Sequence, residues 1–351
     1  MKIVIAIDSF KGCLSSREAN EAAGDGIKLP ISDGGEGMTE AFKAMDLGYK
    51  DVTIDVHGPL MEPLTASYLI SEDGKRAVME MAAACGLPLV PFDKRNPEET
   101  TTFGFGEMLA DAMRRGCKDI IIGIGGSATC DAGEGMLRAL INANIISIEN
   151  NTLLSTFENI NINVACDVQN PLFGINGASY VFSPQKGADE AMVERLDQRL
   201  KDFYNASGCT DSVPGDGAAG GLGFALRYFL KADLKPGIDV VLDALNFDNI
   251  IEGSDLIITG EGKCDRQTLM GKVPYGILQR AKKSNIPVVL IAGKTEDEDI
   301  LLDAGFKDVI CVNKDDNRPL EILMQPDVAK QNITKTIKRY IDEIQSNSTR
   351  S

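Results

Sequence analysis

Residues 123–135 read GIGGSATCDAGEG: five glycines, two carboxylates and no side chain bulkier than one isoleucine. Glycine has no Cβ, so a loop of this composition lets another group come close to its main chain. Three further segments share the plan of an apolar run entering a glycine turn that bears a carboxylate: IAIDSFKG (5–12), PISDGGEG (30–37) and IITGEGKCD (257–265). Free main-chain amides in such turns can cradle phosphate oxygens, and aspartates can hold the magnesium ion that accompanies nucleotide phosphates. A single glycine turn with Asp is ordinary turn geometry. Four of them point to a site for a polyanion. Lys11, Lys186, Lys263 and Lys272 each lie in a glycine-flanked turn, where an enzyme handling two anions would need its cations.

These loops need strands and helices to hold them. KIVIAI (2–7) is a continuous β-branched run suited to a strand covered on both faces, and Ser15 with Glu18 is a capping-box start for a helix. KLPIS is expected as a short strand and MTEAFKAM as a helix. From about Val52 the rhythm changes to shorter apolar runs (VTIDV, LTASYLI, RAVMEMA). FGEMLADAMRR, DIIIGIGG and a helix from Glu134 then resume the alternation, NVACDV and ASYVF read as strands, and ADEAMVERLDQRLKDFY reads as a helix. The last third alternates again through SDLIITGEG, VPYGILQRAKKSN, IPVVLIAGK, EDEDILLDAG, KDVICV and a closing amphipathic helix. In open α/β sheets ligands bind at the carboxyl ends of strands, where the four loops lie. The opening and closing thirds share this grammar, so the expected fold is α/β with two domains. Residues 1–52 and 240–351 would form a discontinuous Rossmann-like or flavodoxin-like parallel-sheet domain, and 53–239 a second α/β domain inserted in it.

A chain of 351 residues with 43% hydrophobic and 25% charged residues is ordinary for a globular protein, apart from its 35 glycines. A formal net charge of -16 and a pI near 4.6 disfavour nucleic acid and anionic membrane surfaces as partners. The apolar run after Lys2 is too short for a signal-peptide core or a membrane span. Eight scattered cysteines without a C-x-x-C pair suggest reduced thiols, and the expected location is cytoplasmic.

The chain holds no Walker A motif. GIGGSA (123–128) fits a dinucleotide fingerprint with Glu149 about 20 residues on, so an NAD(P)-dependent oxidoreductase is the competing expectation; it leaves the other loops without a purpose. One histidine, His57, makes histidine triads and histidine-bound zinc unpromising, and Cys130 has no neighbouring histidine to activate it.

The ordered motifs KIVIAIDSFKGCLSS, PISDGGEG, NPEETTTFGFGE, IIGIGGSATCDAGEGM, VACDVQNPLFG, GASYVFSPQKGA, GAAGGLG and DLIITGEGKCDRQTLMGKVPYG resemble the bacterial glycerate kinases of the two-domain glycerate kinase I type, over roughly residues 1–315. The resemblance implies ATP-dependent, magnesium-dependent phosphorylation of D-glycerate, leaning toward the 2-hydroxyl, by a discontinuous Rossmann-like domain carrying an inserted one. The family usually has Asn-Asp-Gly-Gly-Ala-Gly at positions 130–135, where this chain has Cys130 and Glu134; the added carboxylate would oppose an incoming anion.

Phosphoryl transfer asks mainly for positioning and charge neutralisation. On that reading Ser9, Lys11 and Gly12 receive a carboxylate or phosphate, and Asp8, Asp33 or Glu36 orients or deprotonates the acceptor hydroxyl. Gly125, Gly126, Ser127 and Thr129 form a phosphate cradle for ATP, with Asp131 and Asp167 as candidate Mg2+ ligands. Gln185 and Lys186 contribute from the inserted domain, and Glu261, Gly262, Asp265 and Lys272 from the last third. The expected partners are glycerate and ATP as small-molecule substrates, in a monomer or homodimer.

Overall fold

Ile3–Ile7 form the first strand and all five residues are buried, as a β-branched run covered on both faces demands. In the computed structural model, residues 1–32, 37–44, 47–149, 152–155 and 159–348 are described. Strands follow in chain order as β1 (Ile3–Ile7), β2 (Ile27–Lys28), β3 (Lys50–His57), β4 (Pro63–Ile70), β5 (Arg76–Glu80), β6 (Asp119–Gly123), β7 (Ile146–Glu149), β8 (Thr152–Ser155), β9 (Asn161–Ala165), β10 (Asp233–Lys235), β11 (Leu256–Cys264), β12 (Val288–Thr295) and β13 (Asp308–Cys311). The chain divides into two α/β units. Met1–Asp33, Glu40–Met45 and Val241–Ser351 make one, and Gly34–Thr39 with Asp46–Val240 the other.

In the first unit the sheet runs β13-β12-β11-β1-β2, and its strand pairs are parallel. Counted within the unit this is the doubly wound order 2-1-3-4-5, whose switch point, the usual ligand crevice, falls between β1 and β11. The closing helix Pro326–Ser348 buries Ala329, Ile333 and Ile337 against the sheet's apolar face, a stripe repeating every four residues. Ser15 and Glu18 make the expected capping box on helix Ser16–Ala22. From that helix the side chains of Ser16 and Asn20 donate to the Ile7 carbonyl at 2.6 and 2.8 Å, fixing the end of β1 just where the DSFKG loop leaves it. The strand expected over KLPIS shrinks to Ile27–Lys28; Pro30 has no N–H to extend the ladder.

The second unit's sheet runs β10-β9-β6-β5-β4-β3, with β5, β6, β9 and β10 parallel and β3, β4 and β5 antiparallel. Helices Phe103–Arg114 and Glu134–Asn142 cover it. A Cβ on Gly106 would lie 2.5 Å from the Met136 carbonyl oxygen and 2.7 Å from the Ala139 Cβ, so the glycine of FGFGE lets these helices touch. ASYVF, expected as a strand, is instead helix Ala178–Phe182. Ala178 packs in a cluster with Leu196 and Leu200 of helix Glu190–Ser207 and Phe224 of helix Ala218–Leu230, and this tertiary setting overrides a local β preference. Among the described residues no helix is long and apolar enough to cross a membrane, and all eight cysteines are unpaired.

Candidate functional site

In the second unit, the turns leaving β5, β6 and β9 line one cavity of about 410 Å³. Gly125, Gly126 and Ser127 come from β6, Asp167 from β9, and Gln185 and Lys186 from the short 3-10 turn Pro184–Lys186; apolar walls come from Leu87, Pro88, Val168 and Phe182. Three residues expected to cradle the nucleotide (Gly125, Gly126 and Ser127), one expected metal ligand (Asp167) and the expected pair Gln185 and Lys186 therefore line one space. A mostly apolar pocket with a few converging polar groups is the usual form of a small-molecule site.

Lys186 is buried, and its Nζ donates to the Ser127 Oγ at 2.8 Å and the Thr129 carbonyl at 2.7 Å. Burial pushes its ammonium down from the ordinary 10.5 to about 8. Expected as a cation for ligand alone, it also ties down the loop. Thr129, expected in the cradle, does not line the cavity; its side chain is fully buried and its Oγ1 has no hydrogen-bond partner among the described residues.

Asp131 also differs from expectation. Its Oδ2 accepts from the Thr102 N–H and hydroxyl, both at 2.8 Å, and from Gly135 N at 3.2 Å, while Oδ1 accepts from Gly133 N at 3.1 Å. A carboxylate so surrounded by donors fastens the loop. Thr100 adds a bond from its hydroxyl to the Ala128 carbonyl at 2.9 Å, which gives the threonines of NPEETTT a purpose the sequence did not reveal. Asp167 accepts from Gly237 N at 2.8 Å and lines the cavity. Among the described residues, no cluster of three or more His, Cys, Asp or Glu could cage a metal.

The first unit gathers its own candidates at the switch point. Asp8 N donates to the Gly260 carbonyl at 2.9 Å, and the Asp8 carboxylate accepts from Ser9 N at 2.6 Å. GEGKC, expected as a glycine turn, instead continues β11 to Cys264, paired with β12; a Cβ on Gly262 would sit 3.3 Å from the Phe10 Cα and 3.4 Å from the Lys11 nitrogen, so the DSFKG loop lies against this end of β11. Gly12 has φ +74°, a left-handed turn natural to glycine. Glu261 is nearly buried and accepts from Thr268 Oγ1 at 2.6 Å and Lys272 Nζ at 3.1 Å. Asp265 caps the turn Arg266–Leu269 and pairs with Lys263 at 3.1 Å, and Lys263 also pairs with Glu296 at 2.9 Å. Of the four lysines singled out, Lys11 alone is exposed with no partner among the described residues. Asp33 and Glu36 lie outside the described residues.

A family model described as the glycerate kinase family matches residues 3–345. The chain belongs to the glycerate kinase family. It is 46% identical to the glycerate kinase of Bacillus subtilis (strain 168) over 325 residues, 84% of this chain and 85% of that one. Identity to the glycerate 2-kinase of Escherichia coli (strain K12) is 45% over 331 residues, 85% and 86% of the two chains. A crystal structure from Salmonella typhimurium LT2, provisionally assigned as a glycerate kinase 2, superposes with a TM-score of 0.83 at 38% identity over 99% of both chains.

The protein is thus a kinase, a phosphotransferase with an alcohol group as acceptor. The nicotinamide alternative fails on the fold of this kinase. Ten residues separate β6 from helix Glu134–Asn142, whereas the fingerprint opens a helix directly. Glu149 ends β7, which pairs antiparallel with β8 in a separate two-stranded sheet. The kinase also disposes of its added carboxylate, since Glu134 accepts from Arg199 at 2.8 Å. Arg95 is a cavity residue that sequence reading missed; it precedes NPEETTT without a glycine or a carboxylate beside it.

Proposed function

We propose that this kinase transfers the γ-phosphoryl group of ATP, with Mg2+, to the 2-hydroxyl of D-glycerate, acting in the cytoplasm. The convergence of Gly125, Gly126, Ser127, Asp167, Gln185 and Lys186 on one cavity carries the nucleotide assignment. Leu87, Pro88, Val168 and Phe182 offer an apolar surface to a base, while the Gly125–Ser127 main chain and the Lys186 ammonium face its phosphates. Asp167 is the carboxylate placed to meet magnesium, which keeps most of its waters and takes only one or two protein carboxylates. When bound, that ion neutralises charge on the phosphate oxygens.

The acceptor belongs at the carboxyl edge of the first unit's sheet. Lys11, unpaired among the described residues, and the amides around Ser9 and Gly12 suit the glycerate carboxylate. Asp8, anchored between β1 and β11, orients the hydroxyl and takes its proton. The name of the Escherichia coli relative, glycerate 2-kinase, supports the choice of hydroxyl.

Incubating the protein with ATP, magnesium and D-glycerate tests the reading. ADP must form, and NMR of the product must show phosphate on carbon 2; 3-phosphoglycerate would correct the regiochemistry, and no ADP would sink the assignment. Asp8→Asn is expected to lower kcat by about 10²-fold or more, the usual share of a positioned base.

A further inference from the structure

Arg95 lines the second unit's cavity alongside Ser127, Gln185 and Lys186. Its Nε is buried with no hydrogen-bond partner among the described residues. A buried guanidinium N–H without an acceptor is costly, and here it borders a space able to hold one. Its main chain is held in place. The Arg95 carbonyl abuts Gly187, where an added Cβ would lie only 2.2 Å away and φ is +100°. Its guanidinium stands 5.3 Å from the centre of the Phe92 ring. Three residues on, Glu98 pairs with Arg195 through two bonds of 2.8 and 2.9 Å, tying this segment to helix Glu190–Ser207. A planar fork held in this way suits the tetrahedral oxygens of a phosphate better than a mobile lysine does. The cavity's other cation, Lys186, already spends two of its protons on Ser127 and Thr129. Asp167, the carboxylate on the cavity wall, is engaged with Gly237 and would repel a bare phosphate unless a cation stood between them.

We propose that Arg95 is a further phosphate-binding residue of this cavity, donating its Nε and a terminal N–H to a phosphate of the nucleotide. This rests on the cavity being the nucleotide site. A carboxylate of the acceptor would satisfy the same fork, so the experiment separates the two anions.

Calorimetry of the wild-type protein with ADP, adenosine and glycerate sets the baseline, followed by Arg95→Gln and Arg95→Lys. ADP affinity is expected to fall at least tenfold in Arg95→Gln and at least threefold in Arg95→Lys, which keeps the charge but loses the fork. Adenosine and glycerate should bind both variants within twofold of wild type, and the KM for ATP should rise while that for glycerate holds. Should Arg95→Gln fail to fold, Arg95→Lys alone decides. Unchanged ADP affinity, or equal losses for ADP and adenosine, would overturn the role of Arg95 while leaving the nucleotide site in place. A loss confined to glycerate would reassign the fork to the acceptor, and failure of wild type to bind ADP would overturn both readings.

Discussion

The ammonium of Lys186 donates to the hydroxyl of Ser127 at 2.8 Å across 59 residues of sequence. One buried charge thereby both shapes the loop after β6 and faces the cavity that the loop lines.

Between pH 8 and 10.5 the folded chain, with Lys186 lowered to about 8, binds fewer protons there than the unfolded chain. Stability from this group therefore rises with pH across that window. Urea unfolding should show wild type gaining on Lys186→Met from pH 7.5 to 10. A bound phosphate favours the charged lysine, so ADP affinity should fall as pH rises through about 8, and binding at pH 8.5 should take up a proton. Calorimetry in two buffers of different ionisation enthalpy measures that uptake; its absence would contradict the placement of phosphate beside Lys186.

Asp131→Asn is expected to damage the fold first. The amide keeps one acceptor oxygen and turns an NH2 group toward either the Gly133 donor or those of Thr102 and Gly135, at a cost of about 1–3 kcal/mol. Chemical denaturation without magnesium should show the loss. A variant of unchanged stability whose magnesium requirement has shifted would restore Asp131 as a metal ligand.

Two glycines of like backbone separate strain from collision. Gly208 has φ +76° with nothing within 4 Å of an added Cβ, whereas at Gly220, φ +67°, that atom would lie 2.0 Å from the Thr129 carbonyl oxygen. Gly208→Ala should cost about 1–2 kcal/mol, the left-handed penalty alone. Gly220→Ala should cost more, and ADP binding should weaken with it because the loop behind Ser127 must move. Equal thermal shifts for the two variants would show that the collision is relieved without strain.

The ion pair of Glu18 with Lys330, 2.8 Å apart, gives an acid signature. Its hydrogen bond to Lys330, then those from Ser15, hold the Glu18 carboxyl down from 4.5 to about 2. The folded state then binds fewer protons than the unfolded state between those values, so the contribution is full above pH 4.5 and fades as pH falls through 2. Melting temperatures of wild type and Glu18→Gln should differ at pH 7 and converge by pH 2. A gap that persists at pH 2 would mean that the carboxylate's charge is not its source.

Local patterning made much of this kinase readable in its sequence. A strand entering a glycine turn is a short-range event, so the loops after β1 and β6, the capping box at Ser15 and Glu18, and the α/β alternation could be found without coordinates; GEGKC, expected as a turn, instead extends β11 because it keeps pairing with β12. ASYVF could not, because its helix is decided by packing against helices contributed by residues 190–207 and 218–230.

The sequence by itself determined which residue types the loops present. Only tertiary structure decided which of them remain available. Asp131 meets the Thr102 donors across 29 residues, and Lys186 meets Ser127 across 59; buried polar atoms must find such partners, and strand order chooses which ones. For the same reason Arg95 went unnoticed: nothing adjacent in the chain marks it, and only the folding of the Pro184–Lys186 turn and the loop after β6 around one space gives its guanidinium something to face.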